Sequence, residues 1–172
     1  MATSNDSGRA RSAFALTLIC AVFLIAGAHR ARAGVNVWTT HGPYGGDVNA
    51  LVIDPHTPST LYAGTSVGVF QSLNSGVTWS AVNSGLPSTG VAALAIDPST
   101  SSTLYAAAGG AVFRSTDSGA GWSATGLTDA GVSALVIDPS TPSILYAAGI
   151  GVYRSTDSGI TWSAANAGLP ST

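Results

Sequence analysis

Lysine and glutamate are absent from this 172-residue chain: all six basic residues are arginine and all eight acids are aspartate. Helix surfaces draw on Lys, Glu and Leu, whereas this chain relies on Gly, Ser, Thr, Val and Ala, which suit strands and turns. What is missing therefore argues for an all-β fold. Charge is scarce, at 8% of residues against 45% hydrophobic, and that balance excludes disorder by composition while leaving one ordinary domain. There is one cysteine, Cys20, so neither a disulfide framework nor a paired-cysteine metal site is available.

The N-terminus reads as a leader rather than as part of the fold. Arg9 and Arg11 precede the apolar run Ala13 to Ala28, and Ala31-Arg32-Ala33 then offers a small-x-small cleavage signal before Gly34. A membrane anchor is the competing reading, but sixteen apolar residues are short for a spanning helix, and Arg30 and Arg32 would sit on the translocated side. Ile19 stands where a lipoprotein signal places a small residue before Cys20. The expectation is a signal peptide over 1–33, an exported mature chain over 34–172 in the periplasm or outside the cell, and no stable membrane insertion after cleavage. That mature chain has no thiol, and keeps only Arg114 and Arg154 against seven Asp, a formal charge of −5. A net-negative surface makes nucleic acid and anionic membranes poor partners.

The remainder is periodic. Trp38, Trp79, Trp122 and Trp162 are spaced by 41, 43 and 40 residues. Between them, "VNALVIDPHTPSTLYAGTSVGVF" from Val48, "VAALAIDPSTSSTLYAAAGGAVF" from Val91 and "VSALVIDPSTPSILYAAGIGVYR" from Val132 keep step. Self-similarity at about 40 residues with several short strands per unit is the mark of a β-propeller, with one four-stranded antiparallel sheet, or blade, per repeat. Leucine-rich repeats are shorter, and helical repeats would show a 3.6 period. The repeats run over about 48–86, 91–127 and 132–169. In the first, strands are expected at 48–53, 60–65, 68–73 and 78–83, with Asp54-Pro55 ending the first strand. "NVWTT" aligns with "VTWSA" as an isolated N-terminal fourth strand. One strand plus about three blades cannot close a ring that needs about four to eight. The chain therefore reads as an incomplete propeller, poorly soluble alone, with further blades supplied in cis or by oligomerisation.

Each repeat carries one polar phrase before its tryptophan. Ser115, Asp117, Gly119 and Trp122, and likewise Ser155, Asp157, Gly159 and Trp162, fit S-x-D-x-G-x-x-W. Ser72, Asn74, Gly76 and Trp79 fit it with Asn for Asp. The phrase resembles the Asp-box, or bacterial neuraminidase repeat, and the resemblance covers nearly all of the mature chain. The physical logic agrees: the Asx oxygen can accept turn N–H groups, Gly can supply positive φ, and Trp can pack back over the hairpin. A residue present in every blade solves a problem every blade has, so the boxes read as structural rather than catalytic.

Asp-box propellers include sialidases, xyloglucan-cleaving glycosidases, sortilin-type receptors and non-catalytic secreted propellers such as photosystem-assembly factors. The resemblance to sialidases implies three substrate-gripping arginines, a Tyr-Glu pair and an acid-base Asp; the mature chain has two Arg and no Glu. Those two, Arg114 and Arg154, read as surface strand residues paired with Asp117 and Asp157. The resemblance to xyloglucanases implies a catalytic Asp after the Thr of "LYAGT", where Ser66 stands. An inverting glycosidase needs two carboxylates, one acid and one base. Outside the repeated Asp54, Asp97, Asp138, Asp117 and Asp157, only Asp47 and Asp129 are singular, and they are the weak candidates for a catalytic pair. His41, Tyr44 and His56 lie in loops of the first repeat, and no spacing suggests a metal or a cofactor site. The expected role is a non-catalytic module that binds or scaffolds a protein or carbohydrate ligand. The alternative is part of a glycoside hydrolase, closer to a xyloglucanase than to a sialidase, with most catalytic residues elsewhere.

Overall fold

A computed structural model describes residues 46–128 and 130–170, all within the unit Ala33–Thr172. The expected signal peptide over 1–33, "NVWTT" with Trp38, His41, Tyr44 and the candidate Asp129 lie outside the described residues. Among the described residues there is no helix, and the all-β expectation of four-stranded antiparallel blades is met.

Twelve strands form three sheets in simple chain order. Blade 1 contains β1 (Val48–Ile53), β2 (Leu61–Thr65), β3 (Gly68–Ser72) and β4 (Ser80–Ala81). Blade 2 contains β5 (Val91–Ile96), β6 (Leu104–Ala108), β7 (Ala111–Ser115) and β8 (Ser123–Ala124). Blade 3 contains β9 (Ala134–Ile137), β10 (Leu145–Ala148), β11 (Val152–Ser155) and β12 (Ser163–Ala164). Neighbouring strands pair antiparallel, the second and third of each blade joined by a tight turn, with Tyr62 opposite Gln71, Tyr105 opposite Arg114 and Tyr146 opposite Arg154.

The fourth strands are shorter than the sequence predicts. Only Ser80 and Ala81 pair with β3. Thr78 is drawn into the preceding loop, where its N–H donates to Asn74 Oδ1 at 2.8 Å. Beyond the strand, Asn83 Oδ1 accepts the Val69 N–H at 2.6 Å, and Asn166 Oδ1 accepts that of Val152 at 2.7 Å. A side chain thus replaces the ladder where a main-chain strand was expected.

The blades pack face to face, and the core is made of the seams between them. Val91, Leu94, Leu104, Ala106 and Ala108 of blade 2 join Tyr62 and Val69 of blade 1 in one apolar cluster. Val132, Leu145 and Ala147 of blade 3 join Tyr105, Ala107 and Val112 of blade 2 in a second. Each strand therefore buries alternate side chains against different neighbours, which explains why "LYAAA" of β6 is buried at every position. Blade 1 admits its neighbour closely at Gly64, where a Cβ would come within 2.9 Å of Val91 Cγ1. Asn49 Nδ2 adds a hydrogen bond to Val91 O at 3.1 Å across the same seam.

Trp122 locks that seam. Its indole Nε1 donates to Val82 O of blade 1 at 2.9 Å and its backbone N to Ser84 O at 2.8 Å. The indoles of Trp79 and Trp162 turn instead to their own loops, donating to Gly76 O and Gly159 O at 3.2 and 3.0 Å. Trp122 is buried, while the other two are half-buried. Trp122→Ala is accordingly expected to cost about 3–5 kcal/mol, and clearly more than Trp162→Ala, read as shifts in the urea unfolding midpoint.

Candidate functional site

The repeated polar loops between the third and fourth strands share one hydrogen-bond circuit. The hydroxyls of Ser72, Ser115 and Ser155 are buried. Each accepts the N–H of the glycine four residues on, Gly76, Gly119 or Gly159, at 2.9 Å. Each donates to the Oδ1 of Asn74, Asp117 or Asp157, at 3.0, 2.8 and 2.8 Å. The same Oδ1 atoms accept the N–H of Thr78, Gly121 and Thr161 at 2.8, 2.8 and 2.9 Å. The glycines have φ of 84°, 89° and 85°, and the serines before them, Ser75, Ser118 and Ser158, have φ of 58°, 61° and 60°. Two successive residues in the left-handed region turn the chain sharply, and the serine–Asx bonds hold it there.

A second tether was not legible in the sequence. The N–H groups of Ser75, Ser118 and Ser158 donate to the carbonyls of Ser59, Ser102 and Ser143, at 2.8, 2.9 and 3.0 Å. Those carbonyls belong to the turn between the first and second strands, so each loop is tied to the far side of its own blade. The only sign of this is the repeated serine of "PST", "SST" and "PSI", and a repeated serine does not reveal that its main-chain oxygen is the partner.

The acids of the described residues are largely committed to turns. Asp54, Asp97 and Asp138 each accept two N–H groups on Oδ1, from His56 and Thr57, Ser99 and Thr100, and Ser140 and Thr141. Asp54 also accepts the Ser101 hydroxyl of blade 2, and His56 Nδ1 lies 2.8 Å from that hydroxyl. Burial alone would raise the Asp54 pKa; the hydroxyl, the two amides and the His56 ring outweigh it and hold it below its ordinary value. The Gly121 N–H, then the Ser115 hydroxyl, lower that of Asp117. Asp47 is the exception: it is exposed at the entry to β1, and its main-chain oxygen accepts the Ser66 N–H at 3.0 Å.

The two arginines do not pair with Asp117 and Asp157. The one ion pair among the described residues is His56 with Asp54, at 3.9 Å. Arg114 and Arg154 instead lie over the rings of Tyr105 and Tyr146, each 6.0 Å from the centroid. The register explains this: both arginines sit directly opposite a tyrosine on the neighbouring strand, and the aspartates have already been claimed by the loop amides. Tyr105 reaches the next blade, donating to Ser158 O at 3.1 Å, and burial raises its pKa. Arg114 Nε is buried without a partner.

That nitrogen belongs to a residue lining a cleft of about 560 Å³ between blades 2 and 3, with Ser84 and Gly85 from the exit of blade 1 beside it. Arg114, Thr116, Asp117 and Ser123 come from blade 2, and Ser158 and Ile160 from the polar loop of blade 3. The cleft coincides with a place where the repeats disagree. "AVNSGLP" leads out of blade 1, but "ATGLT" leads out of blade 2, without counterparts of Asn83 and Ser84. In the first seam Ser84 O holds the Trp122 backbone; in the second, Gly126 N–H reaches Gly159 O at 3.3 Å and Trp162 stays on its own loop. A cation, a carboxylate and hydroxyls in one concavity suit a polar ligand. They do not form a glycosidase pair, since Asp117 is its only carboxylate. Among the described residues no three His, Cys, Asp or Glu side chains come together.

The Asp157 loop is the most strongly polarised of the three. The Thr161 hydroxyl, the Thr161 N–H and the Ser155 hydroxyl bring its pKa from the ordinary 3.8 down to about 2. A carboxylate with a depressed folded pKa stabilises the fold above its unfolded value, and that contribution is lost as pH falls through the folded one. Asp157→Asn, which copies the Asn74 loop, should therefore give a flatter dependence of the thermal midpoint between about pH 4 and about pH 2 than the wild type.

Residues 60–172 match the DUF6242 beta propeller domain. No curated protein matches the chain. Among solved structures it is similar to the GH74 enzyme of Niastella koreensis, at 29% identity and TM-score 0.56, covering 74% of this chain and 22% of that one. It is similar as well to the GH74 xyloglucanase of Xanthomonas campestris, at 26% identity and TM-score 0.60, covering 73% and 21%. YCF48 bound to the D1 peptide shares the fold, at 14% identity and TM-score 0.58, covering 72% and 41%. The chain thus spans about a fifth of the length of either GH74 enzyme. Three serially repeated four-stranded blades and a match over residues 60–172 lead to one assignment: the chain belongs to the DUF6242 beta propeller domain family.

Proposed function

We propose that the chain is an exported segment of an Asp-box propeller that acts as a non-catalytic binding module for a protein or glycan. The observation that carries this reading is the use of the acids. Five of the six described aspartates accept turn amides on a single oxygen, and the polar loops spend their Ser, Asx and Gly on the hairpin itself. A general acid and a general base need carboxylates free to face a substrate, and Asp47 is the one described acid without such a commitment. A propeller of this fold, YCF48, is solved with the D1 peptide bound, which supports a ligand-binding role for such blades. The cleft beside Arg114 is the seat we assign to the ligand. The leader over 1–33 supports export to the periplasm or beyond.

A second reading rests on the 26–29% identity to GH74 enzymes: the chain is part of a glycoside hydrolase whose other catalytic groups lie outside it. A hydrolysis assay on xyloglucan and β-glucans separates the two. The binding module is expected to give no product, and hydrolysis abolished by Asp47→Ala would establish the enzyme. Peptide and glycan arrays then identify the ligand class. Arg114→Ala is expected to weaken binding by about tenfold or more, the size of a lost hydrogen bond to a charged group, with circular dichroism showing the blades still formed. Asn74→Ala, in the loop of blade 1 that does not line the cleft, should lower stability and leave binding by the folded fraction intact.

A further inference from the structure

The outer edge of blade 2 forms part of the wall of the cleft beside Arg114. β8 is the last strand of its sheet, and the stretch from Trp122 through Ser123, Ala124 and Thr125 to Gly126 lines the cleft. In an antiparallel strand the N–H and C=O of one residue point the same way, and the direction alternates along the chain. Thr125 N–H points inward, donating to Val112 O at 2.9 Å, so the main-chain groups of Trp122, Ala124 and Gly126 point away from β7. Both ends of that outward edge are taken. Trp122 N–H reaches Ser84 O of blade 1 at 2.8 Å, and Gly126 N–H reaches Gly159 O of blade 3 at 3.3 Å. Between them Ala124 is exposed, and its N–H meets no acceptor among the described residues. At about 3.3 Å per residue the gap from Trp122 to Gly126 is about 13 Å, room for about three residues of an extended chain.

Charge stands beside the gap. Arg114 lies directly opposite Ser123 on the neighbouring strand, so the two side chains share one face of the sheet. Arg114 has no carboxylate partner among the described residues. The Asp117 carboxylate in the same cleft already accepts the Ser115 hydroxyl and the Gly121 N–H on Oδ1, which leaves the guanidinium as the uncommitted charge. We infer that the ligand of this cleft is an extended acidic peptide that adds to β8 as a short further strand, and this rests on the binding role proposed above. One ligand residue exchanges main-chain bonds with Ala124: its C=O accepts the Ala124 N–H, and its N–H donates to Ala124 O. The next ligand residue falls on the face of Ser123 and Arg114, where an Asp or Glu side chain meets the guanidinium in the paired N–H geometry that suits a carboxylate. Strand addition takes affinity from the main chain and specificity from alternate side chains. A glycan has no main chain of N–H and C=O groups at strand spacing, so the Ala124 edge selects a peptide.

The test is to pan the immobilised full-length protein against a phage library of random seven-residue peptides, then to measure the selected peptides, capped at both ends, by fluorescence anisotropy. Selected peptides are expected to carry Asp or Glu at one recurring position. Replacing that acid by its amide, or N-methylating the adjacent residue that pairs with Ala124, should each weaken binding at least tenfold. Arg114→Gln, which copies Gln71 of blade 1, should bind the acidic peptide and its amide equally. Ala124→Pro removes the outward N–H and leaves the bonds to β7 in place, so it should weaken both peptides at least tenfold with circular dichroism unchanged. If that variant fails to fold, the N-methyl scan of the peptide tests the same bond on the wild type. No selected peptide, selected peptides without an acid, an N-methyl scan without effect, or an acid preference that persists in Arg114→Gln would each overturn the inference. Binding of arrayed glycans but not of peptides would do so while leaving the binding module in place; no binding of either, with hydrolysis of xyloglucan, would remove the module as well.

Discussion

A sheet with apolar side chains on both faces cannot be stable by itself, and every other feature of this chain follows from that constraint. Blade 2 meets the requirement fully, with Val91 and Leu94 against blade 1 and Tyr105 and Val112 against blade 3. The seams are therefore the core, and the sheets are the units that carry it. Small residues follow from the same demand: Gly64, Ala106 and Ala107 let main chains approach where larger side chains would force the blades apart. Stability in such an array is a sum of blade and seam terms, which gives a single seam residue such as Trp122 leverage over two blades.

Polar chemistry is arranged to serve those seams. The serine–Asx–glycine loops look reactive when read as a string, yet their serine hydroxyls and Asx Oδ1 atoms already have local partners. The Asp-Pro turns behave likewise, each aspartate holding two amides. What remains uncommitted is sparse: the buried Arg114 Nε, the exposed Asp47, and the cleft produced where blade 2 leaves by a shorter connector. In a repeat protein the informative positions are those at which the copies diverge, since shared positions answer to folding. The GH74 likeness extends over about a fifth of those enzymes, and a shared fold does not by itself carry a shared reaction.

Much of this was legible in the sequence because it depends on local chemistry. Tryptophan spacing, alternating apolar residues and the Asp-Pro and S-x-D-x-G phrases each mark a strand or turn within a few residues of themselves. They lead to four strands per repeat and to the positive-φ glycines at Gly76, Gly119 and Gly159. The fourth strands fall short of their sequence expectation because Thr78 and Asn83 have side-chain or loop partners that no strand propensity anticipates. Proximity in sequence suggests ion pairs between the arginines and aspartates, whereas the hairpin register sets the arginines over tyrosines on the neighbouring strand.

The repeat, the strand order and the loop chemistry can be read from the chain alone, because they are written in spacing and in contacts between near neighbours. Which face of each blade is covered, that Trp122 alone among the three described tryptophans donates across a seam, and that Arg114 borders a cleft emerge only when the blades are packed. Those outcomes depend on how one blade meets the next. Residues some 40 positions apart, such as Val82 and Trp122, touch only when two sheets with their own twist and connectors are laid together, and two missing residues in a connector are enough to change what they find.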